Sequence, residues 1–185
     1  MGNINKLYQE TIKEELKKEL KIKNSMRVPK LLKIVLNMGL NDAVNNKGVI
    51  EKVEKQMIII SGQKPLITRA KKSISAFKLR KGMPMGLKVT LRKERMFDFW
   101  EKLVKIVLPR QRDFKGVSLT GMDGRGNLNI GFKEQTIFPD LEYDQVDKIR
   151  GVEVTVVTST TSTEEAELLL KKLGMPFAAE KKENG

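Results

Sequence analysis

The feature that most constrains the fold of this chain is an unbroken alternation of apolar and polar side chains at residues 87–92. The alternating residues are Leu87, Lys88, Val89, Thr90, Leu91 and Arg92. Because successive side chains of a β-strand point to opposite faces of a sheet, this pattern predicts a strand whose apolar side lies in the core. The chain should therefore form a sheet whose other face is open, basic and hydroxyl-bearing.

That strand lies in the most basic part of the chain. Residues 64–95 contain eleven Lys or Arg residues and one acid, Glu94, which is a net charge of +10 out of +13 for the whole chain. Ordinary solvated surfaces mix charges of both signs. So much positive charge in about a sixth of the sequence therefore indicates a surface that binds phosphate groups, and favours it over a merely solvated basic face.

Two residue types are missing from the sequence, and their absence narrows the possible functions. The chain contains no Cys and no His. Disulfide bonds, thiol nucleophiles and thiolate metal sites are therefore excluded, and so are Ser/His/Asp triads. An enzyme is accordingly a disfavoured class of protein, and we expect no metal and no cofactor.

Length and composition favour a globular protein that is not embedded in a membrane. The 185 residues are 39% hydrophobic and 32% charged, which suits one folded domain with its own core. We expect this domain to cover residues 1–179 and the charged tail at residues 180–185 to be disordered. The longest apolar run, residues 57–60, is too short to cross a bilayer, and no secretory signal is recognised, so we expect a cytoplasmic protein.

Shorter patterns predict the remaining elements. Apolar residues at three- and four-residue steps predict helices over residues 4–22, 47–61 and 94–108, and a last helix that begins at a Ser162–Glu165 capping box and ends at Leu173. Extended patterns cover residues 32–38, 66–68, 74–80, 117–120, 128–132 and 152–157, with hairpin turns at 81–86 and 123–127. Residues 74–80 would pair with 87–92. Together these elements predict an α+β fold with a single, mostly antiparallel sheet and helices packed on one face.

An open sheet face of this kind is similar to the platform of RNA-recognition modules. Lys, Arg, Ser and Thr side chains supply donors to phosphate oxygens and ribose hydroxyls. Phe77 is the only aromatic residue of the basic segment, so stacking on several bases is not expected. Asn37 and Gln63 are placed either to contact a base edge or ribose or to serve as buried structural amides, and the pattern leaves both alternatives open.

An acidic segment forms the second charged feature of the chain. Its members are Asp140, Glu142, Asp144 and Asp147. They lack the spacing and the glycine of a calcium-binding loop, so a solvated or partner-facing surface is favoured over a metal site. Glycines at 121, 124 and 126 likewise fit a turn better than a nucleotide-binding loop, because a strand follows them where a helix would be needed.

Six stretches carry a resemblance to a known family. They read KIVLNMG at residues 33–39, SGQKPLITRAKKS at 61–73, FKLRKGMPMGLKVTLR at 77–92, PRQRDF at 109–114, DGRGN at 123–127 and GMPF at 174–177. As an ordered set within residues 4–178, they resemble the bacterial-type family of the fifth protein of the large ribosomal subunit, which binds 5S rRNA. Lys93 departs from the family pattern, which often has Gly at that position.

The resemblance implies that the protein anchors 5S rRNA in the central protuberance of the large subunit, next to large-subunit rRNA and other large-subunit proteins. By position in the matching motifs, the implied rRNA-binding residues are Asn37, Gln63, Thr68, Arg69, Lys71, Lys72, Lys88, Thr90 and Arg92. The tip would reach the peptidyl-site tRNA through Lys78, Arg80, Lys81 and Met83. Local packing explains the methionine equally well.

The resemblance further implies a bridge to a basic protein of the small-subunit head. Charge complementarity makes the acidic segment the candidate for that contact.

Three other functions would use some of these features. A general RNA-binding or RNA-chaperone module would use the basic segment but would not distinguish among structured RNAs. An enzyme acting on RNA would need acids clustered within the basic segment, where only Glu94 occurs. A protein–protein adaptor would use the acidic segment and would leave the basic segment without a role.

Overall fold

The computed structural model describes residues 3–40, 48–77, 79–112 and 114–178. Its strands are β1 (Leu31–Gly39), β2 (Leu66–Arg69), β3 (Pro84–Leu91), β4 (Leu128–Phe132) and β5 (Val152–Thr158). Its longer helices are α1 (Asn3–Leu7, Tyr8–Ile12 and Lys13–Glu19), α2 (Gly48–Ser61), α3 (Lys93–Lys102, Leu103–Val107 and Leu108–Arg110) and α4 (Thr163–Lys172). The middle segments of α1 and α3 are π-helical. None of the described helices is long and apolar enough to span a membrane.

The five strands form one antiparallel sheet in the order β2-β3-β1-β5-β4. Strand β3 lies between β1 and β2, with Ile34 of β1 paired with Leu91 and Leu66 of β2 paired with Lys88. Helices pack on this sheet, as α2 does on β3. The predicted α+β fold with a single, mostly antiparallel sheet is therefore confirmed.

The chain groups into two compact units. The first contains Met1–Lys33, Arg92–Ile130 and Val156–Gly185, and the second contains Ile34–Leu91 and Gly131–Thr155. The assignment of residues 1–179 to one domain stays a prediction, and the tail predicted at residues 180–185 lies outside the described residues.

The core of the second unit lies between α2 and the covered face of the sheet. Leu36 and Met38 of β1, Leu87 and Leu91 of β3, and Met57 of α2 are all completely buried. The apolar residues of α2 recur every three or four positions, so one face of the helix covers the sheet, and each fully buried side chain contributes about 1.5–3 kcal/mol. The helix predicted over residues 47–61 is confirmed over its described part.

The first unit is organised around Trp100. This side chain of α3 is fully buried, and its indole Nε1 donates a hydrogen bond to the carbonyl of Leu173, 3.1 Å away. Helix α1 packs against α3. Lys172 Nζ, at the end of α4, lies 2.9 Å from a carboxylate oxygen of Glu15 and 2.7 Å from one of Glu19. These contacts hold the three helices of the unit together.

The strand predicted at residues 74–80 is wrong. The chain forms a 3₁₀ turn there, and Ile74 and Leu79 make only an isolated bridge. The hairpin partner of β3 is β2, and the pairing extends beyond it, since the Ala70 N–H donates to the Met83 carbonyl at 2.8 Å. Neither alternating set of residues 74–80 is apolar throughout, so no face of such a strand would be held firmly in the core.

Two local predictions near the C-terminal part of the chain also differ from the structure. Val117 pairs in parallel with Phe177, not with residues of β4. Ser162 makes no side-chain cap for α4. Its backbone N–H donates to Thr160 Oγ1 at 3.1 Å, and Thr160 Oγ1 in turn donates to Glu165. The hydroxyl of Thr160 thus lies between the Ser162 N–H and the Glu165 carboxylate, which the capping box would have joined directly.

Candidate nucleic-acid interface

The open face of the sheet is formed by the uncovered positions of β1, β2 and β3. Lys88 of β3 lies opposite Asn37 of β1 on one side and opposite Leu66 of β2 on the other. Directly paired residues of antiparallel strands lie on the same face, so these three residues form one row across the sheet. We call them the lateral row.

Two threonines extend the same face on either side of the lateral row. Thr90 follows Lys88 by two residues, and Thr68 follows Leu66 by two residues. Lys88 is exposed and both threonines are half-buried, whereas Leu87, Val89 and Leu91 on the opposite side are at most 1% exposed. The separation of faces predicted from the alternation at residues 87–92 is therefore confirmed.

Gln63 connects the end of α2 to the open strand. It follows Gly62, whose φ of +65° ends the helix in the left-handed region that glycine adopts readily. The Gln63 side chain is half-buried, and its Nε2 donates to the Thr90 carbonyl at 3.3 Å. Of the two alternatives left open by the sequence, the structural amide is therefore present, because this contact ties the helix end to β3.

The described residues of the connection between β2 and β3 form a basic loop that hydrogen bonds hold together. Gly82 N–H donates to the Ala70 carbonyl at 2.9 Å, and Lys81 N–H donates to Ser73 Oγ at 3.0 Å. Arg69 Nη1 donates to the Gly82 carbonyl at 3.1 Å, so part of this guanidinium serves the loop itself. Among the described residues of the loop, the exposed cations are Lys71, Lys72, Arg80 and Lys81.

The other two residues predicted for the tip are Lys78 and Met83. Lys78 lies outside the described residues. Met83 is half-buried, and its sulfur accepts a hydrogen bond from the Arg80 N–H at 3.3 Å. Of the two sequence interpretations, local packing and recognition, local packing is the one that this contact supports.

Most cations of this surface are not neutralised by acids of the described residues. In that part of the chain, Lys64 lies 3.6 Å from Glu54, but Lys71, Lys88 and Arg92 form no ion pair. Surface cations without an ion-pair partner keep their full field for an external anion. The surface is therefore suited to polyanionic ligands.

The acidic segment divides into two kinds of carboxylate. Asp147 accepts hydrogen bonds at 2.6 and 3.1 Å from the guanidinium of Arg150, which is 7% exposed. This hydrogen bonding holds the pKa of Asp147 below its ordinary value. Asp140, Glu142 and Asp144 present exposed side chains at the surface of the segment. The four acids that the sequence groups together therefore do not act alike, because Asp147 also belongs to the internal structure of the second unit.

A cleft beside the acidic segment is lined by side chains of both charges. It has a volume of about 410 Å³ and lies between α2 and the turn that contains Asp144. Lys52 and Lys55 line it together with Asp144 and Asp147. Gln56, which is 1% exposed, anchors the turn by donating from Nε2 to the Gln145 carbonyl at 2.7 Å. The cleft thus selects neither an anion nor a cation.

Comparison with known proteins assigns the family. Residues 24–80 match the family model for ribosomal protein L5, and residues 84–177 match the model for the C-terminus of the same ribosomal family. The large ribosomal subunit protein uL5 of Symbiobacterium thermophilum is 54% identical over 178 residues, which is 96% of this chain and 99% of that protein. This chain belongs to the ribosomal protein L5 family.

Other L5-family relatives are similar over nearly the same length. The uL5 proteins of Geotalea daltonii and Chloroflexus aggregans are 51% and 54% identical, and the matches cover 96% and 93% of this chain and 99% and 95% of those proteins. The resemblance inferred from the six sequence motifs is thereby confirmed. L5 proteins are structural, non-enzymatic components, which agrees with the class of function favoured by the composition.

Sequence reasoning missed one residue of the open face. Leu66 is 70% exposed, yet the pattern at residues 66–68 is too short to show which way its side chain faces. Only the pairing of Leu66 with Lys88 places it in the lateral row. The sequence shows a leucine between Lys64 and Thr68, but a single apolar residue does not indicate which face of an edge strand its side chain occupies.

Proposed function

We propose that this L5-family protein is a ribosome-bound, cytoplasmic component of the large subunit that binds 5S rRNA and anchors it in the central protuberance, beside large-subunit rRNA and other large-subunit proteins. The observation that carries the proposal is the open face of β3, where the exposed cation of Lys88 lies beside Asn37 and next to Thr90. The relatives named above support a ribosomal role, since each is named as a large-subunit protein.

The contacting residues divide by chemistry. Lysine and arginine bind phosphate oxygens without reading sequence, whereas amides and hydroxyls fit one RNA shape. The proposed phosphate-binding residues are Arg69, Lys71, Lys72, Lys88 and Arg92. The proposed residues for specificity are Asn37, Gln63, Thr68 and Thr90, and Gln63 is held beside Thr90 by its own hydrogen bond to β3.

The basic loop is the proposed contact for the peptidyl-site tRNA. Arg80 and Lys81 are exposed in a loop that hydrogen bonds hold in shape. Lys78 remains part of this proposal, and Met83 contributes by shaping the loop.

The acidic segment is the proposed contact for a basic protein of the small-subunit head. Asp140, Glu142 and Asp144 would supply the exposed charge, and Asp147 would hold the segment in place through Arg150. Complementary charges would then steer and orient the two surfaces.

The experiment is a comparison of RNA affinities for the purified protein. We would measure Kd for 5S rRNA, for tRNA and for an unrelated hairpin RNA at about 0.15 M salt. A preference for 5S rRNA of about a hundredfold, which corresponds to about 2.7 kcal/mol, supports the proposal. Equal affinity for all three RNAs would contradict it and would leave a general RNA-binding or chaperone module.

A further inference from the structure

One wall of the cleft beside the acidic segment is a single stripe of α2. The lining residues of the helix recur at three- and four-residue steps, so they share one face. They are Lys52, Lys55, Gln56 and Ile59. From residue 52 to residue 59 the helix rises about 10 Å. Together with its volume of about 410 Å³, this length gives the cleft the size of a small-molecule site.

The opposite wall of the cleft supplies two carboxylates in different states. Asp147 lines the cleft but accepts hydrogen bonds from both terminal nitrogens of the Arg150 guanidinium. In the described part of the chain, Lys52, Lys55 and Asp144 form no ion pair, and all three are exposed. The cleft therefore offers a ligand two cations on the helical wall and the Asp144 carboxylate on the other.

Gln56 adds a hydrogen-bond acceptor that lacks a donor. The residue is 1% exposed, and its Nε2 donates to the Gln145 carbonyl at 2.7 Å. Its Oε1 is buried and accepts no hydrogen bond from the described residues. A buried oxygen without a donor is unfavourable, because it has lost its hydrogen bonds to water. Since Gln56 lines the cleft, a donor group of a bound ligand would satisfy it.

We infer that this cleft binds a guanine nucleotide. The phosphates lie near Lys52 and Lys55, the face of the base packs on Ile59, and the base donates from N1–H and its 2-amino group to the Asp144 carboxylate. Among the common bases, guanine presents two adjacent donors on its Watson–Crick edge, and a carboxylate accepts such a pair in a bidentate manner. A ribose hydroxyl or the second amino hydrogen donates to Gln56 Oε1.

The mixed charge of the cleft favours a ligand of this kind over simpler ions. An anion without donors would leave the acceptors of Asp144 and Gln56 unpaired, and a simple cation would be repelled by the two lysines. The site uses none of the residues proposed to bind rRNA. A free nucleotide and an unpaired guanosine of an RNA present the same groups, so the experiment must distinguish these two sources.

Equilibrium binding of GDP to the purified protein tests the site. We expect GDP to bind about tenfold more tightly than ADP, which lacks both of those donors, and than inosine diphosphate, which lacks the 2-amino group. Asp144→Asn should lower the affinity for GDP about tenfold. The same variant should prefer xanthosine diphosphate to GDP, because the C2 carbonyl of xanthine accepts from the asparagine amide.

Three further variants separate the cleft from general phosphate binding. Asp98→Asn, the same change at an exposed residue of α3, is the matched control and should bind GDP like wild type. Lys52→Ala should weaken binding of GDP and of ADP to the same extent, since it removes a phosphate contact and keeps the base contacts. Lys88→Ala should leave GDP binding unchanged, because this residue lies on the open face of the sheet.

Equal affinity for GDP and ADP, or an unchanged base preference in Asp144→Asn, would overturn the site. Adding 5S rRNA to the GDP complex distinguishes the sources of guanine. Retention of GDP assigns the site to a free nucleotide, and displacement by 5S rRNA but not by the unrelated hairpin RNA assigns it to a guanosine of 5S rRNA. Displacement by both RNAs alike would overturn the site. The preference of the protein for 5S rRNA is measured without GDP, so failure of the site and failure of the proposed function remain distinguishable.

Discussion

At the scale of single residues, Lys93 is a site of local backbone strain. Its φ is +53°, in the left-handed region. There a Cβ atom lies too close to the backbone carbonyl, whereas glycine has no Cβ and adopts this conformation readily. It begins α3 directly after the basic strand. The family resemblance implies that Gly often occurs at this position.

We expect Lys93→Gly to raise the free energy of unfolding by about 0.5–1 kcal/mol, because the strain outweighs the extra entropy of glycine in the unfolded chain. Urea denaturation monitored by Trp100 fluorescence would measure it. The matched control is Lys93→Ala, which removes the charge but keeps the Cβ and should change stability little. Equal gains from both variants would assign the effect to charge instead of backbone strain.

Asp147 is the residue whose structural role sets a pH dependence. Its hydrogen bonds with Arg150 lower its pKa in the folded state, so the ionised form stabilises the fold. This stabilisation is present above the unfolded pKa of about 3.9 and is lost as the pH falls through the lower folded pKa.

We expect Asp147→Asn to lower the free energy of unfolding at pH 7 by about 1–3 kcal/mol, because buried Arg150 loses the charged hydrogen bonds to the Asp147 carboxylate. The difference from wild type should shrink as the pH falls below about 4. Denaturant titrations at several pH values would measure both effects. Asp144→Asn, at an exposed residue of the same segment, is the control, and an equal loss there would contradict the assigned role.

At the scale of elements, the acidic turn and the basic loop present charge from well-defined backbones. The Gln56 side chain holds the turn through the Gln145 carbonyl, and the Ala70 and Gly82 hydrogen bond closes the loop. Substitutions at exposed positions of these elements should therefore change binding without changing the fold.

For the acidic turn, we expect Asp144→Lys to weaken association of large subunits that carry it with small subunits. The change places a cation where a basic partner is proposed, and it leaves the Asp147–Arg150 pair intact. Light scattering of subunit joining would measure the effect. Asp98→Lys, the same reversal at an exposed residue of α3, should be silent, and unchanged joining by Asp144→Lys would dispose of the proposed contact.

For the basic loop, we expect Lys71→Ala and Lys72→Ala each to flatten the salt slope of RNA binding by about 0.7–0.9, as one phosphate contact is lost. Gln63→Ala should instead reduce the preference for 5S rRNA and keep the slope. Because Gln63 also holds β3, the thermal stability of this variant must be measured alongside. Lys17→Ala in α1 is the control, and the reverse pattern would show that the two roles are exchanged.

At the scale of the whole molecule, the charge and the missing histidines determine how binding responds to solution conditions. With a net charge of +13 and no His, RNA affinity should depend on salt but hardly on pH between about 6 and 8. If about six phosphates are neutralised, the log–log salt slope should be about −4 to −5. Filter binding across salt and pH would measure both. A titration midpoint within that pH window would contradict the prediction.

Much of the architecture could be predicted because its patterns are local. The alternation at residues 87–92 and the periodicity of α2 each depend on neighbours a few positions away, and both were confirmed. The pairing of β3 with β2 instead of residues 74–80 could not be predicted, since neither alternating set of that segment indicates its partner. Hydrogen-bond choices such as Thr160 in place of Ser162 also depend on which groups the fold brings close.

The amino-acid sequence by itself determined the class of fold, the basic open face and the family, because these follow from side-chain periodicity, charge and ordered motifs. Only the tertiary structure decided that Leu66, Lys88 and Asn37 share a row. It also decided that Gln63 Nε2 donates to a carbonyl of β3 and that the Asp147 carboxylate accepts from Arg150. The physical reason is that strand register and partner choice depend on residues distant in sequence, whose competition is resolved only when the core packs.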